Sequence, residues 1–443
     1  MAHRKFVRYA LWWFTTAEMV DASIPDAFGI SAELISRSGA GSGVTESYPA
    51  AYYNPAALAL PSENSQLIRH QLGAGFLMQK PDMAVNTIQG SALARNNAAI
   101  GSDIDAYGVQ VFGAIFDVRS LVHTPYRVPV KLGVVFAAPA PEIGRITETS
   151  QQFYTFQQIG RQSAIPNAAL SLGFQAWRNR LSIGGGVQFS ATMNARIALS
   201  DLTTDGAVPP TSDSELEVKL RPSAIAGITY RQPLPGNFEY VGGFTFRPEN
   251  QVSVSADVFA TLPISGLGVV HYTYLRLAGY YRPRTYQLSQ ALHWKSWGFY
   301  ADVEYQQWSK FQLSESRRLF ETPPGFYDIV ILRVGTDWKS PFWKLVGRAG
   351  YALIPAMTPD QTGSANYLAN NRHNFSFGLG RSFSNLPRLK ADLTIDIAFQ
   401  WQYWQPRTTN KEIRSALSDG TTQPDYNYGG NLFIGSLSLT LKI

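Results

Sequence analysis

The sequence predicts an all-β protein, a membrane-spanning antiparallel β-barrel of about 14 strands with an N-terminal hatch inside the lumen. Aromatic residues make up 13% of the 443 residues and charged residues only 16%, against about a quarter charged in soluble domains. No run approaches the roughly 18 apolar residues of a membrane-spanning helix. Long segments instead alternate apolar with polar residues, as barrel strands do when every second side chain meets lipid.

The alternating segments are long, and the last one runs to the end of the sequence. Residues 181–193 and 391–403 exceed the five or six residues of a typical soluble strand. They match the roughly nine to eleven tilted residues that cross a bilayer. Residues 436–443 predict a final strand, which suits a barrel that closes first strand to last. Short connections alternate with long polar ones, as in bacterial outer-membrane barrels.

Tryptophans gather near the ends of the predicted strands. Rings with one wet and one apolar side are typical of the headgroup level of a membrane, so the pattern predicts an aromatic girdle. The residues concerned are Trp294, Trp297, Trp308, Trp338, Trp343, Trp401 and Trp404.

The region before the strands divides into two predicted parts. Residues 1–22 have a basic start and a short apolar core, which predicts an imperfect export signal. Residues 23–65 are rich in small residues but carry more apolar area than a linker, so they predict the hatch. The barrel is assigned to residues 66–443. The predicted hatch motif consists of Gly39, Gly41, Gly43, Asn54, Pro55 and Ala56.

Several stretches resemble the FadL family of outer-membrane long-chain fatty acid transporters, which includes transporters of aromatic hydrocarbons. Residues 39–58 are similar to the family's N-terminal hatch with its Asn-Pro-Ala motif, and residues 181–188 to its Gly-rich mid-barrel strand. Residues 301–311 resemble its acidic strand that ends in Trp-Ser-x-Phe. Residues 333–335 and 347–351 supply a further likeness.

The resemblance implies a 14-stranded barrel in the outer membrane of a Gram-negative bacterium, with the hatch filling its lumen. It implies uptake of long-chain fatty acids or similar hydrophobic compounds, which leave sideways through a gap at a kinked strand. The expected partners are a hydrophobic small molecule and outer-membrane lipid, and the barrel is expected to be a monomer.

Two sets of residues are candidates for function. Strand alternation turns a group of charges toward the lumen, where they form either a salt-bridge network that holds the hatch, which we favour, or a site at which Arg333 or Arg348 meets a ligand carboxylate. This group is Asp302, Glu304, Arg333, Arg348, Asp392 and Asp396. Two apolar loops are candidates for the ligand entrance, through Phe153, Tyr154, Phe156, Leu262, Ile264 and Leu267.

Other functions are less consistent with the sequence. The absence of Cys removes disulfides and thiolate metal sites, and no phosphate-binding or nucleotide motif is present, so no cofactor is expected. The net charge of +6 is modest, and no basic cluster predicts nucleic-acid binding. A general diffusion porin would lack the hatch. An outer-membrane lipolytic enzyme would pair a Ser or Asp with a His, and no G-x-S-x-G element is present, so no enzyme is expected.

Overall fold

The computed structural model describes residues 24–60, 70–88, 106–119, 129–140, 155–156, 166–177, 180–200, 211–264, 267–311, 325–361, 366–384, 386, 391–411 and 424–443. The predicted export signal and the predicted boundary between hatch and barrel, at residues 65 and 66, lie outside the described residues. None of the described helices is long and apolar enough to span a membrane.

A closed ring of antiparallel strands forms the wall of the molecule. The first wall strand pairs with the last, from Gln71 opposite Lys442 to Thr87 opposite Tyr426. The ring has 14 strands, which confirms the predicted fold class. In chain order they are β1 (His70–Thr87), β2 (Tyr107–Asp117), β3 (Val130–Ala140), β5 (Asn167–Trp177), β6 (Leu181–Ser200), β7 (Thr211–Leu234), β8 (Phe238–Arg247), β11 (Arg284–Trp294), β12 (Trp297–Gln307), β13 (Ile329–Lys339), β14 (Leu345–Ile354), β16 (Arg372–Phe383), β17 (Asp392–Thr409) and β18 (Tyr426–Lys442).

In the described parts of the connections between wall strands there are four further strands. β4 (Thr155–Phe156) pairs in parallel with β15 (Tyr367–Leu368). β9 (Asn250–Ile264) and β10 (Leu267–Arg282) form a hairpin that connects β8 to β11. The hairpin is attached to the wall, because β9 also pairs in parallel with the C-terminal half of β6.

Part of the predicted apolar entrance has a different local structure from the one expected. The prediction that Leu262, Ile264 and Leu267 lie in a loop is wrong, because they belong to β9 and β10. Ile264 pairs with Leu267, so both strands continue to the hairpin tip. Phe156 lies in β4, while Phe153 and Tyr154 are outside the described residues.

Side chains of the wall alternate between the outside and the lumen. In β12, Phe299 and Val303 are each 45% exposed on the outside, whereas Asp302 and Glu304 are buried on the lumen side. This alternation gives the barrel an apolar outer surface, as expected for a wall that faces lipid.

The predicted aromatic girdle is present around one rim. The exposed tryptophans among the described residues are Trp294, Trp297, Trp338, Trp343, Trp401 and Trp177. The first four lie at or beside the short turns that join β11 to β12 and β13 to β14. Trp308 and Trp404 are instead almost fully buried, because Trp308 packs into an apolar cluster and Trp404 lies at a lumen-facing position of β17.

Residues 24–60, hereafter the N-terminal segment, form short helices rather than strands. The segment packs against β3, β5, β6, β7, β8, β11, β16, β17 and β18, so it lies inside the ring of strands. Its helices are α1 (Ile24–Phe28), α2 (Ala32–Ile35) and α3 (Ala50–Tyr53), with 3-10 helices at Ser42–Val44 and Pro55–Ala59.

Candidate functional site: the filled lumen of the barrel

Asn54 organises the turn at the centre of the N-terminal segment. Its side-chain carbonyl accepts a hydrogen bond from Ala56 N at 3.1 Å and so caps the helix that begins at Pro55. Its Nδ2 donates to Gly43 O at 2.7 Å and to Ile228 O of β7 at 3.4 Å. This fully buried side chain therefore joins two parts of the segment to the wall. The Asn-Pro-Ala sequence suits the start of a helix, because Asn54 caps it and Pro55 occupies the first helical position, where proline is favoured.

Asp302 holds the glycine-rich part of the segment. Its carboxylate accepts hydrogen bonds from Gly41 N at 2.9 Å, from Ser42 N at 3.3 Å and from Ser42 Oγ at 3.1 Å. Gln287 Nε2 donates to the same carboxylate at 2.9 Å. Gly41 has φ of 79°, a backbone conformation that favours glycine. The turn at Gly41 thus presents backbone amides to a buried acid of the wall.

Glycines in the wall let the segment approach closely. A Cβ on Gly133 would lie 2.8 Å from Leu58 Cδ1, and one on Gly378 would lie 2.5 Å from Ser36 Cβ. Several of these glycines face one another across strands, as Gly173, Gly184 and Gly227 do in β5, β6 and β7. The described wall glycines at which a Cβ would come within 3.0 Å of the segment are Gly73, Gly113, Gly133, Gly173, Gly184, Gly227, Gly243, Gly335, Gly350 and Gly378.

Sequence reasoning missed this belt of wall glycines, apart from the Gly-rich stretch of β6. A glycine within a strand signals a place where another backbone approaches closely. The sequence contains 37 glycines. The glycines of the belt differ from the others in lying opposite one another in neighbouring strands, as Gly73 and Gly113 do, and this pairing is not visible in the sequence.

Among the described residues, the predicted lumen charges take part in two groups of ion pairs. In the first, Arg333 Nη1 lies 2.8 Å from Glu304 Oε2, and Arg247 Nη1 lies 2.7 Å from Asp26 Oδ1 of α1. Arg247 Nη2 is also 3.9 Å from Glu304 Oε1, so these four residues are connected. In the second, Arg348 Nη1 lies 2.6 Å from Asp396 Oδ1.

The six residues of the predicted charge network therefore do not form one connected network. Four of its members form the ion pairs just described. Asp302 instead binds backbone amides of the N-terminal segment, and Asp392 lies half-buried at the start of β17, opposite Lys442 in the register. Arg247 and Asp26, which complete the first group, were not among the predicted residues.

Arg37 of the segment makes a further contact that the sequence analysis missed. Its guanidinium lies 3.0 Å from Glu33 Oε1 and 3.8 Å from Asp337 Oδ2, and its Cζ lies 4.0 Å above the ring centroid of Tyr300. Burial opposes ionisation of Glu33, but the positive charges of Arg37 and Arg348 outweigh it and lower the pKa of Glu33. The pair therefore stays ionised at neutral pH.

The inner surface of the wall is apolar on one side. Inward-facing residues of β1, β2, β3, β17 and β18 form one buried cluster with Phe28 and Tyr48 of the N-terminal segment. The wall residues of this cluster include Leu77, Val85, Val109, Val111, Val135, Trp404, Tyr426, Tyr428, Leu432 and Ile434. The apolar strands also bury a few polar residues, among them Gln79, Gln402 and Ser438. On β11, β12 and β16 the inward-facing residues are mostly polar, namely Gln287, Ser289, Asp302, Glu304, Arg372, Asn374 and Ser376. The lumen is thus lined with two different chemistries.

A second apolar cluster lies beyond the segment, toward the long connections, and adjoins arginines. A cavity of about 20 Å³ lies between α1 and this cluster. Its lining includes Arg282, Arg333 and Arg372, the apolar Trp308, Ile331 and Ile354, and Asp26 of α1. The cluster itself comprises Tyr281, Trp308, Phe311, Phe326, Ile329, Ile331, Ile354, Met357, Tyr367 and Ala369.

The arginines of this cavity have different partners. Arg333 is paired with Glu304, whereas Arg282 bonds to two neutral groups, Gln188 Oε1 and, at 2.9 Å, Ser223 Oγ. Arg282 is only 3% exposed, and among the described residues no carboxylate forms an ion pair with it. Arg372 lies 4.6 Å above the ring centroid of Trp404.

Three histidines contact aromatic residues. His70 lies beside Phe116 and His293 beside Tyr300. His373 Nδ1 lies 2.8 Å from Tyr351 OH. Within the described parts of the chain, no three His, Asp or Glu side chains come together as a metal site.

The fold and the lined lumen define the molecule as a membrane-spanning β-barrel with a filled interior. No protein-family model and no curated protein matches the sequence. The fold is similar to that of a Pseudomonas aeruginosa FadL homologue, with a TM-score of 0.61 and 16% identity over 93% of this chain and 98% of that one.

Two further structures have similar folds. A mutant of TodX, described as a monoaromatic hydrocarbon channel, gives a TM-score of 0.53 and 13% identity over 94% of this chain and 100% of that one. The Ralstonia pickettii toluene transporter TbuX gives 0.50 and 12% over 95% and 100%. These likenesses confirm the FadL-like fold.

Proposed function

We propose that this protein is a transporter in the outer membrane of a Gram-negative bacterium. It takes up long-chain fatty acids or similar amphipathic compounds and releases them sideways into the membrane. The observation that carries the proposal is a buried arginine, Arg282, without an acidic partner among the described residues, beside an apolar cluster in the lumen. A carboxylate with a long apolar tail satisfies both surfaces at once.

The lining of the lumen favours a transporter of hydrophobic compounds over a general diffusion porin. A porin encloses a polar, water-filled channel. Here the N-terminal segment occupies the interior, and one side of the wall presents apolar residues such as Leu432 and Ile434 to it. Apolar side chains inside a barrel are unfavourable in contact with water and favourable in contact with protein or an apolar ligand.

Ligand binding requires movement of α1 or of the side chains around it. The cavities next to α1 measure about 50 Å³ and 20 Å³, far below the roughly 300 Å³ or more of ligand pockets. α1 is attached to the wall through Asp26 and Arg247. Displacement of α1 would join both cavities to the apolar cluster at Trp308 and Ile354.

The role of Arg282 is tested with two ligands that differ in one charge. Palmitate and its methyl ester are titrated against the purified protein and the Arg282→Gln variant. A hydrogen bond to a charged group contributes about 1.5–3 kcal/mol, so palmitate binding should weaken about 10- to 150-fold while ester binding changes little. Arg284→Gln is the matched control, since Arg284 is 40% exposed and pairs loosely with Glu249. Equal loss for both ligands would contradict the proposal.

A second candidate function is the uptake of neutral aromatic hydrocarbons, which the fold shared with TodX and TbuX favours. In that case toluene competes with palmitate, and Arg282→Gln leaves the affinity for both ligands unchanged. A large steady current in planar bilayers would instead favour a porin, and release of free fatty acid from phospholipid would favour a lipolytic enzyme.

A further inference from the structure

The short turns at one rim of the barrel carry a band of aromatic residues. The turn from β13 to β14 contains Phe342 and Trp343, which are 86% and 72% exposed. Hydrogen bonds join this turn to its neighbours: Lys339 N donates to Ser296 O at 2.8 Å, and Ser382 N donates to Lys344 O at 3.2 Å. The turns therefore form one continuous surface. We call it the rim patch, consisting of Trp294, Lys295, Trp297, Trp338, Phe342, Trp343, Lys344, Arg381 and Phe383.

Three cations lie among these rings. Lys295 Nζ is 5.2 Å from the ring centroid of Trp294, and Arg381 Cζ is 5.1 Å from that of Phe383. Lys344 Nζ donates to Ser384 Oγ at 3.2 Å. In the described part of the chain, no carboxylate forms an ion pair with any of the three. The nearby acids Asp337 and Glu239 face the lumen, where they contact Arg37 and Arg231.

Two of the cations occupy costly backbone positions. Lys295 has φ of 52° and Lys344 has φ of 50°. This left-handed region suits Gly and Asn in turns, and a side chain with a longer carbon stem is disfavoured there. Glycine would adopt this conformation at either position without that cost. Lysine at both points to a use for the charge.

We propose that the rim patch binds the phosphate of an acidic phospholipid in the leaflet that meets the short turns. Aromatic rings beside the turns place this band at headgroup level, where cations meet lipid phosphates. Phe342, Trp343, Lys344, Leu345 and Arg381 line an open cleft of about 520 Å³. Two cations and two rings therefore surround a space that can hold a headgroup. The inference requires only that the barrel stands in a bilayer and is independent of the transported ligand.

The test measures binding of phosphatidylglycerol and phosphatidylcholine to the purified protein in non-ionic detergent, with native mass spectrometry to count bound lipids. Each cation near a membrane surface contributes about a fivefold change in binding. The double variant Lys344→Gly and Arg381→Gln should therefore bind phosphatidylglycerol about 25-fold more weakly. Because glycine suits the backbone at position 344, this variant should keep the thermal stability of the barrel.

Arg180→Gln is the matched control, because Arg180 lies in the turn from β5 to β6, outside the patch, and bonds to Gln232 Oε1 at 3.1 Å. It should change phosphatidylglycerol binding by less than about twofold. The proposal is overturned if the control weakens binding as much as the double variant. It is also overturned if the double variant binds like the original protein, or if phosphatidylcholine is retained equally well.

Discussion

Replacing Asp302 with alanine should detach the glycine-rich part of the N-terminal segment from the wall. The change removes the acceptor of three hydrogen bonds from Gly41 and Ser42 and of a fourth from Gln287. Hydrogen bonds to a charged group contribute about 1.5–3 kcal/mol each and are not additive. Each buried donor left without an acceptor costs about 1–3 kcal/mol, so several together cost about 3–5 kcal/mol. We expect a loss in this range in the free energy of local opening.

Hydrogen–deuterium exchange of the peptide that spans residues 36–46 measures this loss directly. A loss of about 3 kcal/mol corresponds to amide exchange more than a hundredfold faster at Gly41 and Ser42. Ser289→Ala is the graded comparison, since it removes the 3.2 Å bond from Gly43 N and a 3.3 Å bond from Gln287 Nε2 but leaves the Asp302 carboxylate in place. It should accelerate exchange about fivefold.

The wall strands should keep their protection in both variants, because the barrel closes without the segment. Unchanged exchange at Gly41 and Ser42 in Asp302→Ala would refute the assignment of Asp302 as the anchor. Equal acceleration in the two variants would refute the estimate that the contacts of Asp302 stabilise the segment more than those of Ser289.

Three further changes test other contacts of the segment. Asn54→Ala removes a helix cap and two hydrogen bonds, and should lower the free energy of local opening by about 1–2 kcal/mol, measured by exchange of residues 54–58. Gly133→Leu should push the segment off the wall and raise conductance in planar bilayers, because Leu58 already occupies the space. The lowered pKa of Glu33 means that its ion pair with Arg37 stabilises the segment above about pH 4.3 and is lost as the pH falls through the lowered value. Channel openings should therefore be more frequent at a pH below the lowered value than at pH 6, whereas Glu33→Gln should show a similar frequency of openings at both.

The wall of the barrel could be predicted from the sequence because its signal is repeated along the chain. Strict alternation in β12, β17 and β18 follows from a wall with lipid on one side and polar groups on the other. The same alternation turned Asp302, Glu304 and Arg348 inward correctly. Tryptophans at the short turns were predictable for the same reason, because the membrane interface selects them.

The contacts inside the lumen could not be predicted, because they join residues distant in sequence. Asp26 meets Arg247 across 221 positions, and Ala32 N donates to Ser438 Oγ across 406. Alternation says that a side chain points inward but not what it meets there. The hairpin of β9 and β10 was missed because Pro and Gly near its tip resemble a loop. Trp308 and Trp404 were assigned to the girdle because alternation alone does not identify the rim at which a residue lies.

The central claim is that the N-terminal segment lies inside the closed barrel, and an engineered disulfide tests it most directly. Ser38 Oγ and Ser376 Oγ of β16 are 2.7 Å apart, and the chain contains no cysteine. Cysteines at both positions should form a disulfide under mild oxidation, with no free thiol left in the folded protein. The pair Ser38→Cys and Ser171→Cys should keep both thiols free, since Ser171 bonds to Ala51 instead. Two reactive thiols in the Ser38 and Ser376 variant would contradict the account.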